Sequence, residues 1–352
     1  MKVLWTGEYD ENYEKEFNER FDEVTKGSNC IEMRIENTWK ADRTAEELNG
    51  KDLFIVGYDA IDKNVIAKNP DLKMILSVRD GPEDNIDIEA CTEAGLPVLF
   101  AGGRCVHSVA ELNLTIMFNL ASKYILMNDH MRDNKKWDAN YVEPLSFTKT
   151  ELFRKTLSII GLGRNGKQLA QMANGIGMRV VAYDPYVTKE QADALNVEMM
   201  SLDEAMAEGD YVTLLARVTP ETTGMITAEK IALMKPTAYL INTGRPKLTD
   251  TDAILDAIDN GVIQGAALDV FPWEPMPDGH RVFDYPADKL LISPHIAGMS
   301  RERVPHQYEY LMEAYDKFLN GDREGLRLYN PKVFDSPKFE ERGGKLWNLN
   351  NK

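Results

Sequence analysis

Leu157-Ser158-Ile159-Ile160-Gly161-Leu162-Gly163-Arg164-Asn165-Gly166 runs an apolar strand straight into a G-x-G-x-x-G turn. Lys167 to Ala173 continue at helix-compatible spacing. A second apolar stretch, Arg179 to Tyr183, then ends on Asp184, about twenty residues past the glycines. Strand, glycine turn, helix, strand and terminal acid in this register form the βαβ signature of dinucleotide binding; a glycine-rich turn in some other α/β protein supplies only the glycines. Gly161 permits the tight turn, Gly163 lets a pyrophosphate approach the backbone, and Gly166 lets the helix sit close to the sheet. The start of the helix, with Arg164 and Asn165, offers N–H groups and partial positive charge to phosphates. Asp184 suits the hydroxyls of a ribose and repels a 2′-phosphate, so the expected cofactor is NAD rather than NADP.

The motif begins at Leu157 of a 352-residue chain, so a domain-sized segment precedes it, and the length suffices for two cores. A net charge of −16 disfavours nonspecific binding to nucleic acid or to anionic membranes. No apolar run approaches a membrane span, and Met1-Lys2-Val3-Leu4-Trp5 reads as a first strand rather than a signal peptide. Cys30, Cys91 and Cys105 are widely spaced and form no metal or C-x-x-C pattern, which fits a reduced, cytoplasmic compartment.

Before the motif, short apolar runs at Lys2 to Trp5, Cys30 to Ile35, Asp52 to Val56, Met74 to Val78 and Pro97 to Phe100 alternate with helix-compatible stretches such as Glu11 to Val24 and Ile86 to Ala94. That alternation predicts a parallel sheet covered on both faces. The loop Arg79-Asp80-Gly81-Pro82-Glu83-Asp84-Asn85 follows the fourth run, where open α/β sheets collect ligands; a plain strand-to-helix turn is the alternative. From Val106 to His130 there is no glycine or proline, and Val109, Leu112, Ile116, Phe118, Leu120, Tyr124 and Leu126 recur at helical spacing, predicting one long helix. After the motif, strands are expected at Asp210 to Ala216, Thr237 to Ile241, Gln264 to Val270 and Leu290 to Ile292, then a helix over Ser300 to Leu319. Asn330 to Lys352 reads as an extended tail whose Val333, Phe334, Phe339, Leu346 and Trp347 pack along a surface.

Three of the later segments lie at or beside predicted strand ends: Ile241 to Arg245, Ala267 to Pro275 and Ser293 to Gly298. Together they carry Arg245, Asp269, Glu274 and His295. An arginine clamps a carboxylate in a bidentate fork and polarises a neighbouring carbonyl; a histidine exchanges protons near neutral pH, and a glutamate beside it favours the imidazolium. The set suits interconversion of an alcohol and a ketone, with the hydride passing to or from a nicotinamide. Taken singly, each residue also has an ordinary structural reading, as a surface charge, a cap or a core histidine. Of the five histidines, only His295 has such polar companions at a strand end.

With these residues in order, the chain resembles the D-isomer-specific 2-hydroxyacid dehydrogenase family, from the first strand to about Gly321. The resemblance rests on the glycine turn with Asp184, Thr219-Pro220-Glu221-Thr222, Asn242 through Arg245, Leu268-Asp269-Val270-Phe271 with Glu274-Pro275, and Pro294-His295-Ile296. It implies that Arg245 binds the substrate carboxylate and carbonyl, that His295 is the acid/base paired with Glu274, and that Asp269 contacts the nicotinamide carboxamide. It adds Thr219 to the cofactor-binding residues, and Arg79, Asp80 and Gly81 to the substrate-binding ones through the backbone N–H groups of their loop. The implied fold is a pair of doubly wound parallel-sheet domains, a Rossmann NAD-binding domain inserted into a flavodoxin-like substrate domain. Residues 1–104 open the substrate domain, 105–297 form the NAD-binding domain, 298–330 return to the substrate domain and 331–352 are a tail. The active site is expected between the domains, and a homodimer around helix 106–130.

Pro246 and Lys247 stand where the family has small residues, Leu215 where histidine is frequent, Cys105 where asparagine is common, and the Arg79 loop departs from the glycine-rich form. These differences bear on the substrate rather than on the reaction type. The expected activity is NAD-dependent exchange of a hydride with a small D-2-hydroxyacid or its 2-oxoacid. Alternatives are a phosphoglycerate dehydrogenase, although Val56-Gly57-Tyr58-Asp59-Ala60 lacks a phosphate-reading arginine, and a nucleotide-sensing corepressor or scaffold on the same fold.

Overall fold

The computed structural model describes residues 1–27, 30 and 38–351. The chain forms two compact units, Met1–Arg104 with Ser300–Lys352, and Cys105–Met299.

The first unit is built on β1 (Lys2–Trp5), β2 (Glu23–Lys26), β3 (Leu53–Val56), β4 (Met74–Ser77) and β5 (Val98–Phe100), in the order β2-β1-β3-β4-β5 with every pair parallel. Strand direction in sequence reverses between β1 and β3, the flavodoxin-like order. Alternation of side chains explains why the strands read as unbroken apolar runs. Val3, Trp5, Leu53 and Ile55 enter one core, and Leu4, Phe54 and Val56 enter the core on the opposite face. Each such side chain, fully buried, contributes about 2 kcal/mol.

The expected helix over Glu11 to Val24 is shorter. It starts at an Asp10 cap and runs Glu11–Arg20, and the β-branched stretch beyond it pairs with β1 as β2. Cys30 is described as a turn residue, and the rest of the strand expected over Cys30 to Ile35 lies outside the described residues. The helix Arg303–Leu319 lays Tyr308, Leu311, Tyr315 and Phe318 into the core beneath Trp5. The C-terminal segment is not extended. It folds into short 3₁₀ turns (Pro331–Asp335, Phe339–Glu341, Gly343–Lys345, Leu349–Asn351) and buries Val333, Phe339 and Leu346 in the same core. Trp347 packs edge-on against Phe318 at 4.9 Å, and the Arg323 guanidinium lies 4.0 Å over the Phe334 ring. Aromatic packing, not backbone propensity, shapes this segment.

The second unit carries β6 (Thr156–Ile160), β7 (Arg179–Tyr183), β8 (Glu198–Met199), β9 (Tyr211–Leu214), β10 (Tyr239–Asn242), β11 (Gly265–Leu268) and β12 (Leu290–Ile292). Their order is β12-β11-β10-β9-β6-β7-β8, again all parallel, with the reversal between β6 and β9. This is the Rossmann order with one further strand, so both sheets are doubly wound as expected. The predicted 106–130 helix is two helices, Val106–Ser122 and Tyr124–Asn134. Lys123 breaks it in the left-handed conformation (φ 56°), and its buried ammonium donates to the Tyr239 hydroxyl at 3.1 Å. Burial pushes that ammonium below its usual pKa. A tertiary hydrogen bond, with no glycine or proline to announce it, sets the helix end. Among the described residues no helix is long and apolar enough to cross a membrane.

Candidate active site

The glycine turn joins β6 to the helix Arg164–Gly175. Gly161 has φ +103°, and a Cβ there would lie 2.4 Å from the backbone nitrogen of Ala216. The turn therefore presses on the chain leaving β9, and only glycine fits. A Cβ at Gly166 would meet the Gly161 carbonyl at 2.5 Å, whereas one at Gly163 would enter open space. That open side lies above a helix whose Gly163 cap offers no side-chain hydrogen bond, so the N–H groups at the helix start could meet an anion such as a phosphate there. Asp184 does two things here. One carboxylate oxygen accepts the Leu162 N–H inside the glycine turn at 2.9 Å, and the other accepts the Tyr186 N–H at 2.9 Å. The acid at the end of β7 thus braces the turn at the end of β6, with acceptor capacity remaining on each oxygen for a ribose hydroxyl. A groove of about 1020 Å³ runs along β7 and β8 with Tyr183, Asp184 and Val187 in its wall; none of Arg245, Glu274 or His295 lines it. Thr219 lies in the loop after β9, where its N–H donates to the Thr222 hydroxyl at 2.7 Å and shapes a tight turn.

On the other side of the switch point, β10, β11 and β12 end in the three predicted segments. His295 Nδ1 lies 2.8 Å from Glu274 Oε2, and the other Glu274 oxygen accepts the Phe271 N–H at 3.1 Å. The pair is about half exposed, with side-chain exposures of 46% and 40%, so the imidazole edge reaches solvent while its Nδ1 is held. Held at Nδ1, the ring presents Nε2 for proton exchange. His295 adopts φ 54°, a left-handed backbone that a non-glycine residue keeps only when its surroundings impose it. Asp269 imposes it. Its fully buried carboxylate accepts the Ser293 hydroxyl at 2.6 Å and the N–H groups of Ile296 and Ala297, each at 2.9 Å, and so grips the loop on both sides of His295.

Arg245 follows β10 with an exposed guanidinium that donates to the Gly244 carbonyl at 2.9 Å. Its backbone is bracketed by Asn242, whose amide donates to the Arg245 carbonyl and accepts the Gly244 N–H, both at 3.1 Å.

In the first unit, the Arg79 guanidinium donates to Asn85 Oδ1 (2.8 Å) and Asp84 (2.6 Å) and stacks 4.7 Å over the Tyr58 ring. Asp80 accepts the Gly103 N–H at 2.6 Å, and Pro82–Asp84 form a 3₁₀ turn directly after Gly81. The loop is thus knitted by its own side chains, which leaves its backbone as the part it can offer a ligand.

Sequence reasoning assigned no bracing role to Asn113, Asn242 or Ser293, although Asn242 and Ser293 fall within the segments it singled out. Asn113 had a visible signal, being the polar member of the stripe Val109, Asn113, Ile116, Leu120. Ser293 had none, because a lone serine after a strand is unremarkable.

A family model described as D-isomer specific 2-hydroxyacid dehydrogenase, NAD binding domain, matches residues 114–297. D-3-phosphoglycerate dehydrogenase of Mycobacterium tuberculosis (strain ATCC 25618 / H37Rv) is 35% identical over 250 residues, covering 71% of this chain and 46% of that protein. The chain spans about half the length of the phosphoglycerate dehydrogenases of this kind. Glyoxylate reductase of Thermococcus onnurineus (strain NA1) is 31% identical over 343 residues, 94% of this chain and 98% of that protein. The solved structure of D-lactate dehydrogenase from Aquifex aeolicus, complexed with NAD and lactic acid, has a TM-score of 0.70 at 26% identity, covering 94% of this chain and 99% of that one.

Proposed function

The chain belongs to the D-isomer specific 2-hydroxyacid dehydrogenase family and carries its NAD-binding domain, and on that footing we propose that it exchanges a hydride between NAD and a small D-2-hydroxyacid/2-oxoacid pair. The observation that carries this reading is the His295–Glu274 pair, 2.8 Å apart, set by neighbouring strand ends of the sheet that bears the glycine turn. The turn fits the cofactor on its own terms: an uncapped helix start, open space over Gly163 and a carboxylate at Asp184. When bound, the nicotinamide supplies the two-electron hydride exchange.

The remaining work falls to the chain. Arg245 holds the substrate carboxylate and polarises the 2-oxo group in one planar fork. His295 donates a proton from Nε2 to the oxygen that becomes the hydroxyl, and takes it back in the reverse direction. Glu274 holds Nδ1–H, which fixes the ring's orientation and tautomer. Asp269 holds the loop that carries His295, beside the position where the nicotinamide carboxamide would lie. Thr219 shapes the loop that flanks the dinucleotide. In the first unit, the Arg79-Asp80-Gly81 loop is assigned to the substrate carboxylate through its backbone N–H groups, its side chains being engaged within the loop and with Gly103.

A glyoxylate reductase and a D-lactate dehydrogenase are among the similar proteins, so small unphosphorylated 2-oxoacids are the first substrates to try. NADH oxidation is followed with glyoxylate, hydroxypyruvate, 2-oxobutyrate, pyruvate and 3-phosphohydroxypyruvate. Turnover of at least one with D-stereochemistry in the product is the expected result. Tight NADH binding with no turnover of any would instead favour a nucleotide-sensing scaffold.

The same reading includes a homodimer. Neither Tyr124–Asn134 nor Ala139–Ser146 buries a residue in the single chain, while Tyr124, Trp137 and Phe147 are 66%, 73% and 89% exposed. Two short helices with no buried side chain and three bare aromatic rings fit a surface that a second copy covers. Sedimentation of the wild type and of Trp137→Glu tests this, with a dimer expected for the first and dissociation for the second. A cytoplasmic setting fits the three free thiols.

A further inference from the structure

We infer that Asn113, buried within the helix Val106–Ser122, is a positioning residue for Arg245, and that it acts through Thr243. The inference rests on the role of Arg245 proposed above.

Asn113 is fully buried, and the buried residues of its helix are otherwise apolar: Val109, Ala110, Ile116, Met117, Leu120 and Ala121. A leucine there would match these neighbours, whereas an amide is costly in such surroundings unless every polar group is paired. Every group is paired. The amide nitrogen donates to the Thr243 hydroxyl at 2.8 Å and to the Val109 carbonyl at 2.8 Å, and the amide oxygen accepts the Thr213 hydroxyl at 2.7 Å. Thr213 lies in β9, and Thr243 is the first residue after β10. The side chain therefore ties two adjacent strands to the helix at the point where the chain turns toward Arg245.

From Thr243 the path to the guanidinium is short and stiff. A Cβ at Gly244 would lie 2.6 Å from the Leu214 carbonyl, so the turn rests against the end of β9. Asn242 clips the Gly244 N–H and the Arg245 carbonyl from the strand side. Asn113 holds the same turn from the core side through the buried hydroxyl of Thr243. With both clips in place, Arg245 has one backbone position from which its fork can present two parallel N–H groups. A shift of a few tenths of an ångström is enough to spoil a bidentate contact. Without the inner clip the turn still forms, because Asn242 remains, but its exit direction is less sharply defined.

The test uses the full chain, with NADH and glyoxylate as the probe pair. Thr243→Val removes the hydroxyl and keeps the shape; Thr243→Ser keeps the hydroxyl; Asn113→Leu removes the amide; Arg245→Lys is the reference. Kinetic constants for both substrates and the thermal midpoint are measured for each. Thr243→Val and Asn113→Leu should each lower kcat/KM for glyoxylate by about five- to tenfold, with the KM for NADH within about twofold of wild type. The double variant should be no worse than either single one, since both cut the same link. Thr243→Ser should restore most of the loss. If Thr243→Val has wild-type kinetics while Arg245→Lys is impaired, the positioning role of Asn113 is wrong and the role of Arg245 stands. If Arg245→Lys is itself unimpaired, the reading of Arg245 fails first, and the inference falls with it. Equal loss toward glyoxylate and NADH, in step with a falling thermal midpoint, would show that the network serves stability alone.

Discussion

The two ends of the seven-stranded sheet solve the same problem with different materials. At β6 and β7 the chain presents backbone: a glycine turn with no room for a side chain, an uncapped helix start and one carboxylate that braces the turn from the next strand. At β10, β11 and β12 it presents side chains, Arg245, Glu274 and His295, from three separate loops, each kept in place by a polar group behind it. Most of the dinucleotide end lies within residues 157–186, so its geometry is largely local, the contact of Gly161 with Ala216 being the exception. The reacting end joins residues as far apart as Asn113 and Thr243, or Asp269 and Ala297, so its geometry depends on the packed core. Backbone suffices to hold phosphates, which ask only for N–H groups and space. Directed proton transfer needs a titrating ring held to a fraction of an ångström.

If that division holds, damage at one end should leave the other intact. His295→Ala should show the largest effect, cutting turnover on the order of a hundredfold or more while NADH affinity, read by fluorescence titration, stays at the wild-type value. A parallel fall in NADH affinity would merge the two ends and break the comparison. Gly161→Ala should do the reverse. A Cβ at φ +103°, 2.4 Å from the Ala216 nitrogen, forces the turn away from β9. The cost is about 2 kcal/mol or more, seen as a lowered thermal midpoint and NADH affinity weakened by roughly tenfold or more. Unchanged NADH binding in that variant would mean that the turn tolerates what its geometry forbids.

Arg245→Lys comes next, because an ammonium cannot reproduce the planar fork. The efficiency toward the 2-oxoacid should drop roughly tenfold or more, with NADH affinity nearly constant. The smallest effect is expected for Asp184→Ser. The hydroxyl cannot serve Leu162, Tyr186 and a ribose together, and its neutrality relieves the repulsion of a 2′-phosphate. The ratio of catalytic efficiencies with NADH and NADPH should move a few-fold toward NADPH; an unmoved ratio would take cofactor choice away from Asp184.

The contrast between the two ends is also a contrast in what could be read beforehand. The glycine turn, Asp184 and the alternation of strands and helices were legible because each is a short-range pattern with one physical cause. The side chains of the reacting end were legible as candidates, one arginine, one glutamate and one histidine after successive strands, but not their brackets. Asn113 looks like an interruption of an apolar stripe until Thr213 and Thr243 are seen on either side of it. The break at Lys123 was missed for the same reason: the lysine ends its helix by reaching Tyr239, 116 positions away. The C-terminal segment reads as extended because it is polar and carries proline, whereas Phe334, Phe339 and Trp347 gather it around Phe318 and Arg323.

The amino-acid sequence by itself determined two parallel sheets and the place of the glycine turn, and it singled out Arg245, Glu274 and His295 as the candidate side chains. Those follow from period, glycine placement and residue chemistry, all of which act over a few neighbours. Only the tertiary structure decided that Asp269 grips the loop of His295, that Asn113 ties Thr213 to Thr243, where the long helix breaks and how the C-terminal segment folds. A buried polar group is tolerated only where partners from distant segments meet it, and which segments meet is settled when the two cores of each sheet close.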